Sequence, residues 1–179
     1  DAQFEAWLKA DNKSRCVLAE AKAYSGGAEV TRYLATRGFV STPADTPANT
    51  AYDDIIKDAP YYTARISEAF TGYSQSGWGD LIITNEGGVR DAWLNDAWDG
   101  RALILYLGDT SWPKADFRTI LVGVSADIVS PARDRLALRI RDNSWKLNVP
   151  LQNNLIGGTT ANLNKLKPVC YGECFNIEP

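Results

Sequence analysis

Apolar and polar positions alternate along most of this chain with the period-two rhythm of half-buried strands, and follow a helical rhythm only near its start. In FEAWLKAD, Phe4, Trp7 and Leu8 recur at i, i+3 and i+4, which predicts a short helix with the three on one face. RCVLAEAKAYSGGAEVTRYLAT then carries two β-rich runs around Ser25-Gly26-Gly27, the composition of a hairpin with a glycine turn. Cys16, Leu18 and, by continuation, Glu20 share one face of its first strand. In its second strand Val30, Arg32 and Leu34 alternate with Thr31, Tyr33 and Ala35.

Beyond the hairpin, STPADTPAN is turn chemistry, and its shortness predicts an ordered surface loop rather than a linker. AYDDIIKDAP is too short and too β-branched for a helix, and YYTARISEAF reads as a strand. GYSQSGWGDLIITN predicts a flexible glycine stretch ahead of a strand at 80–84, which NEGG ends. VRDAWLNDAWDG predicts a short helix or wrapped loop with Trp93, Leu94 and Trp98 turned inward. The strongest strand signals follow: RALILYLGD, then FRTILVGVSADIV after the connection TSWPKA, then RDRLALRIRD. In the last, Leu136, Leu138 and Ile140 face one way, while Arg135, Arg139 and Arg141 lie among the polar positions, as in a half-buried antiparallel strand. WKLNVPLQ either continues the sheet or turns a corner at Pro150, and NNLIGGTTANLNKLKP is polar and glycine-rich, a surface segment. Strands at roughly 10–15-residue spacing, with no βαβ order, predict a mainly β (β-rich α+β) fold. Its antiparallel sheets form a barrel or sandwich with short peripheral helices, in a single domain over 1–179.

Composition narrows the function. A chain of 179 residues, 45% apolar and 23% charged, buries a real core without staples. A net charge of −3 gives a polyanion no reason to bind, so no nucleic-acid partner is expected. No apolar run approaches the ~20 residues of a membrane span. Histidine is absent, which removes the commonest general base and the usual nitrogen ligand of zinc.

The remaining candidate chemistry is sparse. Cys170 and Cys174 form one C-x3-C pair with Cys16 far away, a poor spacing for zinc, so all three are expected to be free, small buried hydrophobes and no metal is expected. Asp45, Asp53, Asp54, Asp96, Asp99, Asp109 and Asp116 fall near loops, yet no pair has a spacing that marks it as the two facing carboxylates of a glycosidase. GYSQSGWG and IGGTT match neither a phosphate loop nor a dinucleotide fingerprint, and no G-x-S-x-G occurs. We expect no catalytic residue, no cofactor and no enzyme. Trp78, Trp93, Trp98, Trp112 and Trp145 cluster near loop–strand junctions, either as core aromatics or as a surface for sugars or proteins. Trp112, in SWPKAD beside Pro113 and Lys114, is the one expected at the surface, and these three residues are the candidate protein contact.

An ordered series of blocks adds to this: DTPANTAY, GDLIITNEGGVRDAWLNDAWDGRALILYLGD, DFRTILVGVSADI, RDRLALRIRDNSWKLNVPLQ and KPVCYGECFNIEP. Together they resemble the N-terminal part of tail-tip and baseplate (tail hub-like) proteins of tailed bacteriophages. The resemblance implies a virion structural protein, assembled in the host cytoplasm, in contact with other tail proteins and with copies of itself in a three- or six-fold ring. It also implies that a further domain follows Pro179, and that Cys170 and Cys174 are wall. The other reading is a module that recognises host-surface carbohydrate through its loop tryptophans.

Overall fold

The computed structural model describes residues 2–11, 13–66, 74–141, 143, 146, 153–157, 159, 161 and 163–167. The chain separates into two compact units, Asp1–Asn143 and Ser144–Pro179. Cys170, Cys174, Trp145, most of WKLNVPLQ and the end of YYTARISEAF lie outside the described residues. In the second unit Leu155 and Leu166 form an antiparallel bridge. The Ile156 and Asn164 N–H groups close a short turn there on Lys165 and Ile156 carbonyls, at 2.9 and 3.0 Å.

The first unit opens with helix α1 (Ala2–Lys9) and continues as β1 (Arg15–Ser25), β2 (Ala28–Ala35), β3 (Phe39–Val40), β4 (Ala51–Asp54), β5 (Ile56–Asp58), β6 (Tyr62–Ile66), β7 (Ser74–Trp78), β8 (Leu81–Thr84), β9 (Ala102–Asp109), β10 (Arg118–Ala132) and β11 (Arg135–Arg141). Single 3-10 turns at Glu86–Gly88, Asp91–Asn95 and Lys114–Asp116 punctuate it. Nine strands make one sheet in the order β3-β4-β2-β1-β9-β10-β11-β8-β5, and β6 and β7 form a separate two-stranded ribbon. Every pair is antiparallel except β2 with β4, so the sheet is mixed where a wholly antiparallel one is expected. The order is open, and neither a closed barrel nor a sandwich of two stacked sheets is described.

The order nonetheless hides a strong curl. β4 and β5 follow one another with only Ile55 between them, yet β4 pairs with β2 and β5 with β8. In a flat sheet β2 and β8 would stand about 24 Å apart, five strand spacings of about 4.8 Å. Here the Ile55 N–H donates to the Ala35 carbonyl at 3.1 Å and its carbonyl accepts from the Thr84 N–H at 2.8 Å. The sheet therefore rolls until both flanks reach one residue. Inside the roll Ala19, Ala21 and Ala23 of β1 meet Leu34, Ile55, Ile56, Leu81, Ile83, Leu103, Leu105, Leu136 and Leu138. Trp98 completes this core, its indole N–H donating to the Trp93 carbonyl at 2.8 Å, and Trp93 and Trp78 pack against it.

Several elements match the pattern of the sequence. The β1–β2 hairpin turns at Gly26 and Gly27, both at positive φ (60° and 91°), the geometry that glycine adopts without strain and that matches strand twist. Gly123 permits a close approach: a Cβ there would stand 2.8 Å from the Arg141 carbonyl oxygen. β10 bulges on either side of it, between Thr119 and Leu121 and between Ser125 and Asp127.

Elsewhere the pattern misleads. SQSGW is strand β7 and not a flexible stretch, because its partner β6 supplies the hydrogen bonds that its own composition does not advertise. AYDDIIKD is no exception to its reading: as expected it is not a helix, and it forms two short strands, each held by distant partners. Leu94 is 40% exposed, because the single 3-10 turn carries Trp93, and not its neighbour, toward the core. On α1 Trp7 is buried and Phe4 half-buried, but Leu8 is exposed.

Leu138 is fully buried among the inner core residues. Leu138→Asp places an unpaired charge there at a cost of several kcal/mol, on the order of 4 or more, enough to abolish folding. Circular dichroism and thermal melting of the purified variant check this; a soluble Leu138→Asp protein with an unchanged Tm contradicts the inward register of β11.

Candidate functional site

Four of the six buried polar or charged side chains among the described residues, Ser41, Asp45, Asp109 and Lys114, sit beneath the loops at 41–50 and 110–117. The strand parity of β1 explains why they gather. Cys16, Leu18 and Glu20 point to the outer face of the sheet, opposite the alanines that line the core. Cys16 and Leu18 meet Ala35, Phe39, Tyr52 and Phe117 in a second, smaller apolar cluster. Gly108 lets the Phe117 ring lie directly on β9, since a Cβ there would come within 2.6 Å of the ring.

Glu20 ends this row and would be an unpaired acid were it not for three donors. The Tyr52 hydroxyl donates to its Oε1 at 2.6 Å, the Tyr106 hydroxyl donates to its Oε2 at 3.4 Å, and Lys114 Nζ lies 2.5 Å from Oε1. The same ammonium donates to the Thr46 carbonyl at 2.5 Å and stands 4.9 Å from the centre of the Tyr106 ring. Burial, then the Glu20 charge and hydrogen bond, push the Tyr106 phenol up to about 12. Burial and then the hydrogen bond to Glu20 drive Tyr52 above the usual tyrosine range. Both phenols therefore stay protonated and donate. A carboxylate held by two hydroxyls and an ammonium is a clamp, in which donors from β4, β9 and the 110–117 loop converge on one residue of β1.

Two further carboxylates tie the loops down. Burial pushes Asp45 up, but the Thr42 hydroxyl (2.8 Å), the Thr42 N–H (2.7 Å), the Ala115 N–H (3.0 Å) and the Lys114 N–H outweigh it and hold the acid at about 2. Asp45 thus joins the 41–50 loop to the 110–117 loop. Asp109 accepts from the Trp7 indole N–H at 2.9 Å and from the Ser111 hydroxyl at 2.8 Å, and the Trp7 bond is the main reason its acid lies below the usual range. Arg15 finishes the helix, donating to the Leu8 and Ala10 carbonyls at 2.9 Å, acceptors that the end of a helix otherwise leaves open.

Of the three predicted contact residues, Pro113 is exposed, Trp112 is half-buried and Lys114 is buried, turned inward to Glu20. The Trp112 ring stacks obliquely on Trp7 at 4.8 Å and lies 6.4 Å from Phe4. Together with Ala6, Ala10 and Lys13, these two indoles line an open groove of about 360 Å³. A second hollow, of about 190 Å³, is lined by Thr31, Arg32, Tyr33, Leu34, Ala51, Asp53 and Trp93. Among the other aspartates, Asp96 pairs with Arg32 at 3.2 Å and Asp99 with Arg141 at 3.3 Å, while Asp53, Asp54 and Asp116 face solvent. Cys16 is a free, buried thiol whose pKa burial raises, which makes it a poor nucleophile or ligand. Among the described residues no three His, Cys, Asp or Glu side chains gather as a metal site would need.

Tyr52, Tyr106 and the anchoring role of Trp7 are absent from the sequence reading; the signal for Trp7 is its place on the α1 face, and for Glu20 its parity with Cys16 and Leu18. No protein-family model matches the chain, and no curated protein matches it as a relative.

Two outcomes follow. Lys114→Ala strands Glu20 under the loops and should cost about 3 kcal/mol in chemical denaturation; an unchanged midpoint would mean the pair is solvated. Asp45 has a folded pKa near 2 against an ordinary 3.8, so its contribution is complete above about pH 4 and disappears as pH falls through 2. The Tm should drop over that window in the native protein and drop less in Asp45→Asn.

Proposed function

We propose that the chain is a structural assembly module of a bacteriophage tail tip or baseplate, which makes ring contacts with its own copies and contacts with neighbouring tail proteins. The observation that carries the reading is the saturation of its reactive groups. Glu20, Asp45, Asp109 and Lys114, the covered charges of the outer face, clasp two loops and helix α1 onto the sheet. Such a site holds a shape and does not turn over a substrate. The ordered blocks that resemble tail hub proteins give the reading its biological setting, the virion.

In this reading the sheet works as a barrel whose flanks join at Ile55, a rigid frame that keeps the 110–117 loop in place. What the loop offers a neighbour is the Trp112 ring and Pro113 at the rim of the groove, and a proline-stiffened loop loses little entropy on docking. The paired indoles of Trp7 and Trp112 also favour a second reading, a platform on which a host-surface sugar stacks.

Truncation separates these roles. Trp7→Ala removes a buried ring and its bond to Asp109 and should cost about 3–5 kcal/mol of stability. Trp112→Ala should cost less and leave the isolated chain folded, yet weaken incorporation into tails by about 2 kcal/mol or more of contact energy. Particle assembly in the presence of each variant measures this. A Trp112→Ala chain as destabilised as Trp7→Ala, with normal particles, would make the contact internal. Glycan-array binding lost in Trp112→Ala would favour the sugar platform instead.

A further inference from the structure

β2 is an edge along most of its length. Thr36 N–H donates to Val17 of β1 at 3.0 Å, while the Ala35 carbonyl accepts from Ile55 on the opposite side at 3.1 Å. Even-numbered positions of this strand therefore direct their backbone groups to β1 and odd-numbered ones away from it. β4 covers the outward side only where Leu34 and Ala35 face Asp53 and Asp54. Among the described residues no strand pairs with that side over 28–32, so the N–H and C=O groups of Glu29 and Thr31 point outward without a strand partner. No proline or register shift interrupts β2, although such devices are how edges are usually blunted.

The ribbon of β6 and β7 presents the complementary feature. Its five residue pairs, from Tyr62 with Trp78 to Ile66 with Ser74, belong to a sheet of two strands, and no third strand joins it among the described residues. A two-stranded ribbon is marginal in water, and a strand edge to pair with stabilises it. Tyr61 is 70% exposed and Tyr62 54%, large apolar surface that a partner would cover. The two surfaces carry charges of opposite sign. Arg65 on β6 is exposed and has no ion pair among the described residues, and the same holds for Asp53 and Asp54 at the inner end of the β2 edge, where Asp53 shares a hollow of about 190 Å³ with Thr31, Arg32 and Tyr33.

We infer that the edge of β2 at residues 28–32 receives strand β6 of a second copy of this chain, with Arg65 of the incoming ribbon set against Asp53 and Asp54. Main-chain bonds from Glu29 and Thr31 supply affinity, and the arginine between two carboxylates supplies register. Edge and ribbon are different surfaces of the same molecule, so the contact is head-to-tail: it closes into a ring where the rotation permits and otherwise continues as a filament. The inference deepens the assembly reading above and rests on it for its purpose, but it concerns the purified chain alone and so succeeds or fails apart from any role in a virion.

Sedimentation velocity of the full chain over a range of concentrations tests it. The native protein should self-associate. Thr31→Pro removes an outward N–H while leaving the β1 ladder its partners, since proline is tolerated on the solvent side of an edge strand. It should weaken association at least tenfold with an unchanged circular dichroism spectrum. Because proline can also disturb a strand, charge reversal supplies a second arm. Arg65→Glu and Asp53→Arg should each weaken association at least tenfold, and the two together should restore it. A native chain that stays monomeric at millimolar concentration overturns the inference, as does association unaffected by the charge reversals. Association lost in Trp112→Ala but retained in both single reversals would place the copies' contact at the Trp7–Trp112 groove instead.

Discussion

Ile55 imposes the constraint on which the rest of the first unit depends. One residue must satisfy a carbonyl on β2 and an N–H on β8, so strands that the order of the sheet places far apart are brought together. A sheet rolled this tightly leaves a narrow interior. That accounts for the alanines at 19, 21 and 23, where β1 lines the roll, and for the leucines and isoleucines that fill it from the other strands. The tightness also forces chemistry outward. Charged and phenolic groups find no room inside, and the outer face near the start of β1 becomes the place where they are buried, beneath loops and not within the sheet.

On that face the loops and the acids depend on each other. Without Asp45 the 110–117 loop would lose acceptors for its Ala115 and Lys114 amides, and without Lys114 the Glu20 carboxylate would be covered by a loop with two phenols but no opposite charge. Trp7 extends the same logic to α1, whose attachment combines an indole–carboxylate bond with the Arg15 cap. At the surface stand a rim of Trp112 and Pro113 beside the groove and, among the described residues, a stretch of β2 that no strand pairs.

Much of the fold was legible in the order of residues wherever the deciding physics is local. The Ser25-Gly26-Gly27 turn, the alternation of Leu136, Leu138 and Ile140, and the apolar run of β9 each carry their own signal, and each forms the expected strand or turn. What was not legible depends on partners far along the chain. AYDDIIKD becomes strand because Leu34 and Ile83 are there to meet it, and SQSGW because β6 lies alongside. The candidate site was half legible. Trp112 and Pro113 stand out by composition, but a lysine reads as a solvated charge, and nothing near Lys114 in the sequence announces an acid waiting on β1. Tyr52 and Tyr106 were hidden for the same reason: each looks like an ordinary strand aromatic until Glu20 is placed between them.

The pairing of β1 with β9 has a consequence in time. Arg15 faces Asp109 and Ala21 faces Leu103, so the central ladder of the sheet waits for a partner that leaves the ribosome long after β1 does. The β1–β2 hairpin can form early and alone, but its other side stays bare through the synthesis of everything between. Long-range pairing of this kind slows folding, and during that interval an alanine-lined strand edge is open to any chain nearby. The flanks that meet at Ile55 are joined through β9, β10, β11 and β8, so the rolled sheet cannot close before β11, which ends at Arg141, is available.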